Sequence, residues 1–292
     1  MRKAANPFVI AMAGLLFVLA GCEQVGITGR RQLNFVPDSL INSMSLEQYG
    51  QFISQSKVIT GTPEAEMVQR VGTRIENAVN EYSKEHSETD PFAGYKWEFN
   101  LVQDPNINAF AMPGGKVVVY TGILPVAKDD AGLATVIGHE IAHVYAKHGA
   151  ERLSQSLIVE MGGVGLSTAL KSQPETTKSL FNTAYSLGSQ VGVLLPYSRL
   201  QESEADHLGV IFMAMAGYDP HAAVGFWERM AAASGGGKTP GFLSTHPTNE
   251  ARIKNLQELI PEAMEYYKPA GQTTQTGLTT GQTGQAWQPG QK

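Results

Sequence analysis

The sequence feature that most constrains the fold is His139-Glu140-Ile141-Ala142-His143, which lies in an apolar segment. The surrounding residues predict a largely buried helix from Ala131 to about Arg152, capped by Asp129 or Asp130. Histidines four residues apart project from the same face of a helix. Because two imidazoles and a carboxylate are costly to bury without a partner, we predict that His139 and His143 bind one Zn²⁺ ion.

Glu140 lies about 100° around the helix from His139, so its carboxylate can reach a water on the metal instead of the metal itself. A bound zinc lowers the pKa of that water to about 7, and a carboxylate can take its proton during attack on a carbonyl. We therefore predict that Glu140 is the general base of a zinc hydrolase. The alternative, a solvent-exposed pair of helical histidines, is disfavoured by the apolar surroundings.

A third ligand is expected because a catalytic zinc has three protein ligands and one open position. The segment Glu202-Ser203-Glu204-Ala205-Asp206 offers it. Glu202 and Asp206 share a helix face, so we predict that Glu202 binds the metal and Asp206 accepts the free N–H of a histidine ligand. Glu204 points nearly the opposite way and is the rival third ligand, or else an ordinary surface carboxylate. His148 is expected to point away from the metal as a surface or capping histidine.

Composition excludes several other classes of function. The chain has 22 Lys and Arg against 27 Asp and Glu, for a net charge of −5, and no basic run beyond Arg30-Arg31. We therefore expect no nucleic-acid partner. A single cysteine excludes an intramolecular disulfide, an iron–sulfur cluster and any metal site built from several cysteines.

The N-terminus is typical of an exported lipoprotein. Arg2 and Lys3 precede an apolar run from Phe8 to Ala20, which is too short for a confident membrane span but fits a secretory signal. The run ends in Leu-Ala-Gly followed by Cys22, which resembles the lipobox of bacterial lipoproteins and predicts lipidation of this cysteine. An uncleaved anchor helix with a chance cysteine is the alternative.

Four segments follow from these patterns. We predict a lipoprotein signal peptide at residues 1–21, a lipidated N-terminal tether at 22–55, a zinc metallopeptidase domain at 56–268 and a disordered tail at 269–292. In the tail, 17 of the 22 residues from 271 to 292 are Gly, Gln or Thr. Such a segment buries too little apolar surface to offset its ordering entropy.

The domain is expected to be α+β and mostly helical. Asn108–Met112 and Lys116–Tyr120 have strand-like patterns separated by the turn signal Pro113-Gly114-Gly115. From Asp129 onward the pattern is helical. We therefore predict a mostly helical α+β domain with a small β-sheet beside the His-Glu-x-x-His helix, and the family resemblance of the motifs implies that it is zincin-like.

These motifs together resemble the gluzincin zinc metalloendopeptidases of the HtpX and CAAX prenyl protease type. Beyond His-Glu-x-x-His and Glu-x-x-Ala-Asp, the matches are the segment 108–115, Ser198-Arg199, Thr245-His246-Pro247 and Arg252. The resemblance covers about residues 45–262. A lipid anchor with no second long apolar run points to the LoiP/BepA-like branch of periplasmic lipoproteins.

The resemblance also implies roles that spacing does not give. His246 is implied to be either a latch in the fourth zinc position or a donor to the transition state, and Arg252 to hold its loop or the oxyanion. Helix capping and salt bridging are the alternatives for both. An exposed edge strand is implied to pair with an extended substrate. Its residues are Asn108, Lys116, Val117, Val118 and Val119.

The expected function is zinc-dependent hydrolysis of peptide bonds in unfolded or misassembled envelope proteins. In Gram-negative lipoproteins, Asp directly after the lipidated cysteine tends to retain the protein in the inner membrane. Glu23 stands there in this chain, which implies sorting to the outer membrane with the body in the periplasm. The outer-membrane assembly machinery is then a candidate partner. One alternative is a non-proteolytic assembly factor or holdase with a latched zinc site. A cell-wall amidase is a weaker one. Glu140 favours the peptidase, because a purely structural zinc site needs no general base.

Overall fold

The computed structural model describes residues 22–86, 90–161, 174–185, 198–233, 240–246 and 250–269. The predicted signal peptide, residues 1–21, and residues 270–292 of the predicted tail therefore lie outside the described residues. Helices predominate over short strands in the described part, which confirms the predicted α+β class.

The described residues contain six strands, ten α-helices and a 3₁₀ helix at Thr121–Ile123. The strands are β1 (Cys22–Gln24), β2 (Arg31–Leu33), β3 (Val58–Ile59), β4 (Glu98–Val102), β5 (Ala109–Met112) and β6 (Lys116–Tyr120). The helices are α1 (Asp38–Gln55), α2 (Pro63–His86), α3 (Leu124–Ala127), α4 (Asp130–Tyr145), α5 (His148–Met161), α6 (Pro174–Ala184), α7 (Arg199–Met215), α8 (Ala222–Ala233), α9 (Gly241–Thr245) and α10 (Glu250–Glu265). A search of the described residues finds no helix long and apolar enough to cross a membrane.

The main sheet has the strand order β3-β4-β6-β5, so β6 lies inside it. β6 pairs parallel with β4 and antiparallel with β5, with Ala109 opposite Val119 and Met112 opposite Lys116. The prediction that Lys116–Tyr120 forms an exposed edge is therefore wrong. Its run of β-branched residues is buried throughout, as expected of a strand covered on both sides. The free edge beside the His-Glu-x-x-His helix belongs to β5.

The turn between β5 and β6 depends on two glycines. Gly114 and Gly115 have φ values of 85° and 80°, a left-handed conformation that favours glycine. A Cβ on Gly115 would also lie 3.0 Å from Trp97 Cα. The Pro-Gly-Gly turn predicted from the sequence is thus present, and it brings β5 back alongside β6.

The predicted helix through Arg152 is interrupted. α4 ends at Tyr145 and α5 begins at His148, with Lys147 between them at a φ of 52°. Lys147 Nζ lies 2.7 Å from Glu23 Oε1 and 2.9 Å from Asp38 Oδ2, and these ion pairs fix the break. The prediction of one continuous helix is wrong. It was made from the local sequence pattern, which does not reveal contacts with carboxylates far away in the chain.

The N-terminal segment 22–55, which we predicted to be a lipidated tether, contains regular structure. β1 and β2 pair antiparallel, and α1 packs on the sheet. Phe52 of α1 contacts Phe110 of β5 with ring centroids 5.3 Å apart, and Ser45 Oγ donates to Pro113 O over 2.6 Å. α1 has only a weak apolar stripe, which explains why periodicity did not predict it.

α4 occupies the centre of the domain. It packs against β5 on one side and against α2 and α7 on others. At the crossing of α4 and α7, Gly138 faces Gly209, and a Cβ on Gly138 would lie 2.9 Å from Gly209 O. The two glycines therefore allow a close approach that brings side chains of α4 and α7 together.

Candidate active site

α4 positions the two motif histidines. Asp129 caps the helix by accepting a hydrogen bond from Gly132 N over 2.9 Å. His139 and His143 lie about three and four turns further along, and each is only 2% exposed. Their Nε2 atoms are 3.0 Å apart, so both rings face the same point.

Glu202 of α7 completes the group predicted from the sequence. Its Oε2 lies 3.5 Å from His139 Nε2, and its Oε1 lies 3.3 Å from His143 Nε2. α7 begins with a capping box in which Ser198 and Gln201 bind each other's backbone, and this fixes the turn that carries Glu202. The structure thus places Glu202, not its rival Glu204, beside the histidine pair.

His246, directly after α9, is a fourth donor. Its Nδ1 lies 2.8 Å from Glu202 Oε1 and 3.2 Å from His139 Nε2. One atom of each of His139, His143, Glu202 and His246 lies within 4.8 Å of the others. In a regular tetrahedral zinc site with bonds of about 2.0–2.1 Å, neighbouring donors are about 3.3 Å apart. The observed separations lie around that value, so the donor set fits zinc.

An unsatisfied buried carboxylate oxygen also fits a bound cation. Glu202 Oε2 accepts no well-directed hydrogen bond from the described residues, although Arg252 Nη1 lies 2.8 Å away. Coordination of a metal ion would give this buried oxygen a well-directed partner in addition to the nearby charge of Arg252. The chemistry of the donors, two imidazoles and a carboxylate with a third imidazole, is that of a zinc site.

Asp206 and Arg252 support the ligands from outside. Asp206 Oδ1 lies 3.1 Å from His139 Nδ1, the contact expected from the shared helix face. Arg252 donates to both Asp206 oxygens over 2.7 Å, and its guanidinium lies 3.4 Å from the ring centroid of Trp227. This pair orients the ring of His139, as carboxylates commonly do for zinc-bound histidines.

Glu140 lies between the donors and the free sheet edge. Its Oε2 accepts a hydrogen bond from Ala111 N of β5 over 3.2 Å, and its Oε1 lies 3.3 Å from His246 Nε2. Burial raises the pKa of Glu140, although the nearby histidines oppose that change. A carboxylate of raised pKa is a better proton acceptor, which suits the predicted role of general base.

The two α4 histidines differ in basicity without a metal. Burial lowers the pKa of His143 well below its ordinary value, which favours the neutral imidazole that binds metals. Burial also opposes charge on His139, but hydrogen bonds to Asp206 and Glu202 outweigh it and raise the pKa of His139 to about 9. A cation bound at His139 therefore replaces a proton.

His148, which sequence reasoning dismissed, lies directly behind His143, and Glu204, the rival of Glu202 as third ligand, lies behind His148. His148 Nδ1 is 2.8 Å from His143 Nδ1, and His148 Nε2 is 2.8 Å from Glu204 Oε2. His148 is not one of the four candidate metal ligands, but the expectation of a surface or capping histidine is wrong, because His148 is fully buried where α5 turns back toward α4. Glu204 is buried as well and is not a surface carboxylate. No local sequence pattern indicated this contact.

The residues predicted to bind substrate are divided between two strands. Asn108 immediately precedes the edge strand β5, and its backbone oxygen accepts from Tyr120 N over 3.0 Å. Lys116 of β6 binds Glu98, with Nζ 2.7 Å from Oε1. Val117, Val118 and Val119 are fully buried. Of this group, only Asn108 therefore lies beside the free edge.

Comparison with known proteins agrees with this site. The model of peptidase family M48 matches residues 69–260. The mitochondrial metalloendopeptidase OMA1 of Schizosaccharomyces pombe is 36% identical over 254 residues, which are 86% of this chain and 70% of that protein. OMA1 of Saccharomyces cerevisiae is 38% identical over 201 residues, 66% of this chain and 55% of that protein.

A bacterial relative is also similar. The putative beta-barrel assembly-enhancing protease of Vibrio cholerae is 35% identical over 167 residues, 55% of this chain and 34% of that protein. The matched part therefore spans about a third of this relative and about half of the Saccharomyces cerevisiae one. These matches, the family model and the buried donor cluster confirm the resemblance stated from the motifs. The chain belongs to peptidase family M48, and it is a zinc metalloendopeptidase.

Proposed function

We propose that the protein is attached to the periplasmic face of the outer membrane by lipid on Cys22 and cleaves unfolded or misassembled envelope proteins. The observation that carries the catalytic part is the position of Glu140, which bonds the edge strand β5 and lies beside the metal donors. A base placed between a metal and a strand edge can act on a peptide that lies along the edge.

The free edge of β5 suits an extended substrate. β5 pairs with β6 on one side only, and no further strand of the described sheet covers its other side, where Ala111 N donates to Glu140 Oε2. An added peptide strand would be held mainly by main-chain hydrogen bonds, which are insensitive to sequence. Unfolded chains present such backbone, whereas folded proteins do not. This favours unfolded proteins as the substrate class.

The residues divide the chemistry between them. Zinc, when bound, polarises the scissile carbonyl and lowers the pKa of a coordinated water. His139, His143 and Glu202 would hold the metal, and Asp206 fixes the ring of His139. Glu140 takes the proton from the attacking water and can return it to the leaving amine, which it can do because it is buried and its pKa is raised.

His246 has the geometry of a latch. Its Nδ1 lies against Glu202 and His139, which favours a fourth ligand over a donor aimed at substrate. α9 is also close to the substrate edge, since Phe242 N donates to Ile107 O over 2.9 Å. We infer that the segment Gly241–His246 is a latch that must move before a water and a substrate can enter.

The latch also keeps a second function open. A zinc site with four protein ligands is typical of structural metal sites. A non-proteolytic assembly factor with a permanently closed site would show this arrangement. The presence of Glu140 favours the peptidase, because a structural site has no use for a general base.

The envelope location rests on the sequence of the N-terminus. The relatives are of two kinds, some named mitochondrial and others named for enhancing beta-barrel assembly. The Leu-Ala-Gly-Cys motif and the signal-like residues 1–21 favour the second setting for this chain. In that setting the outer-membrane assembly machinery would be a partner.

The test of catalysis is cleavage of unfolded casein by the purified protein and its Glu140→Gln variant. We expect the variant to lose cleavage and to keep stoichiometric zinc by elemental analysis, because Glu140 is not a ligand. Glu258→Gln, on an exposed part of α10, is the matched control and should cleave normally. Casein cleavage by Glu140→Gln at the wild-type rate would refute the general-base role.

The test of the latch is His246→Ala. We expect a higher rate of casein cleavage, because removal of the fourth donor opens the coordination position without touching the other three ligands. A lower rate would mean that His246 assists the transition state. A wild-type protein that binds zinc but cleaves nothing, with a His246→Ala variant that is equally inactive, would favour the holdase.

A further inference from the structure

A chain of buried polar side chains leads from the zinc ligand His143 to the N-terminal loop between β1 and β2. It passes from His143 Nδ1 to His148 Nδ1 and from His148 Nε2 to Glu204 Oε2, each step 2.8 Å long. Glu204 then meets Arg30, whose Nε lies 2.5 Å from the same oxygen. His148 is fully buried, and the Glu204 side chain is only 3% exposed.

The hydrogen positions in this chain follow from the ligand role of His143. Nε2 of His143 faces the donor cluster, so its lone pair is used there and the proton of a neutral ring is on Nδ1. That N–H donates to His148 Nδ1. His148 is then protonated on Nε2, which donates to the carboxylate of Glu204. Each ring therefore has one defined tautomer. The Glu204 carboxylate, which can only accept, determines the direction in which these hydrogen bonds are donated.

Glu204 is itself held by the N-terminal loop. Thr28 donates its hydroxyl to Glu204 Oε1 in a very short contact, while Arg30 binds Oε2. The loop is closed by its own backbone, with Val25 N donating to Arg30 O and Gly29 N to Val25 O, both over 2.9 Å. Thr28 and Arg30, which contact Glu204, thus lie only six and eight positions after Cys22 in the sequence.

Arg30 is also tied to the helices that form the site. Its two terminal nitrogens lie 3.0 Å from the two oxygens of Glu151 on α5. Glu151 in turn accepts from Gln201 Nε2 over 2.7 Å, in the first turn of α7. A bidentate pair of this kind has little freedom. The loop is therefore fixed relative to both His148 and Glu204.

We propose that His148 is a positioning residue for the zinc ligand His143, and that Thr28 and Arg30 of the N-terminal loop act through Glu204 to keep it in place. The proposal rests on the zinc site described above. Partners in such outer positions typically change metal affinity 10- to 100-fold when removed. The segment next to the predicted lipid anchor is thereby an integral part of the metal site.

The experiment measures zinc affinity by competition with a chromogenic chelator, on full-length protein in detergent. The variants are His148→Leu, which keeps the volume and removes both ring nitrogens, and Arg30→Met. The two are also combined. Arg70→Met is the matched control, since Arg70 forms an exposed ion pair with Asp130 at the start of α4. The spectrum of the Co²⁺-substituted protein reports ligand geometry independently of activity.

We expect His148→Leu to weaken zinc binding about 10- to 100-fold and Arg30→Met about 3- to 10-fold. If Arg30 acts through His148, the double variant binds zinc as weakly as His148→Leu alone. The Co²⁺ spectrum should change in both single variants and stay unchanged in Arg70→Met. Thr28→Val is the milder replacement for Arg30→Met if that variant fails to fold, and the same non-additivity is expected of it.

Two results would overturn the proposal. One is unchanged zinc affinity and an unchanged Co²⁺ spectrum in His148→Leu. The other is full additivity of the two substitutions, which would mean that Arg30 acts on general stability. Failure of the wild-type protein to bind zinc would instead remove the metal site itself, so that the two failures are distinguishable.

Discussion

The close approach of α4 and α7 is open to a direct test through Gly209. A Cβ at this position would lie 3.0 Å from His139 N and 3.1 Å from His139 Cα. Ordinary contacts of a Cβ begin near 3.4 Å, so Gly209→Ala requires the two helices to separate by about 0.4 Å. Both contact atoms are backbone, which cannot move aside as a flexible side chain can.

The expected magnitude follows from two opposing effects. Alanine is favoured over glycine by about 1 kcal/mol inside a helix. Overpacking costs about 1–3 kcal/mol, so Gly209→Ala should leave the free energy of unfolding unchanged or lower it by up to about 2 kcal/mol. Gly50 of α1 is the matched control, because nothing lies within 4 Å of its Cβ position. Gly50→Ala should therefore stabilise the protein by about 0.5–1 kcal/mol.

Zinc affinity is the more specific measurement. Metal sites tolerate ligand displacements of about 0.2 Å. The separation of α4 from α7 by about 0.4 Å in Gly209→Ala moves His139 and His143 relative to Glu202 by more than that. We expect about tenfold weaker zinc binding in Gly209→Ala and no change in Gly50→Ala. Unfolding in urea is measured on the metal-free proteins, so that zinc binding does not contribute to stability. Equal stabilisation by both substitutions, with zinc affinity unchanged, would refute the reasoning.

Two further predictions concern the buried arginine and the anchor. Arg252→Met leaves Asp206 and Glu202 without their cationic partner. We therefore expect the free energy of unfolding, measured in urea, to fall by about 3–5 kcal/mol. A decrease of less than about 1 kcal/mol would show that the ion pairs of Arg252 are dispensable. Arg252→Lys should restore little of this, because an ammonium cannot bind both Asp206 oxygens as the planar guanidinium does. Cys22→Ser should move the protein from the membrane to the soluble fraction, and retention on the membrane would indicate an uncleaved anchor helix.

The parts of the site that lie on single helices could be predicted from the sequence. His139 and His143 are related by one helical turn, as are Glu202 and Asp206, and helix geometry alone fixes which of these residues share a face. The choice of Glu202 over Glu204 followed from the same arithmetic. Nothing beyond the local backbone was needed for those inferences.

The parts that depend on distant contacts could not be predicted. The break before His148 is held by carboxylates more than a hundred residues away, on Glu23 and Asp38. Which strand forms the free edge also depends on the strand order. Either strand of the β5–β6 hairpin could be the edge, until the pairing of β4 with β6 places β6 inside the sheet. The three consecutive valines of β6 were a usable signal, because a continuous apolar run is typical of a strand covered on both faces.

Glu202 and Glu204, both on α7, act on opposite sides of the His143 ring. They lie two positions apart on α7, so their side chains leave the helix on different faces. Glu202 faces the Nε2 side of His143, where the metal binds, and Glu204 reaches its Nδ1 side through His148. Each carboxylate thus acts on a different nitrogen of the same ring. Neither can replace the other, because exchanging them would require α7 to rotate by about half a turn against the Gly138–Gly209 contact.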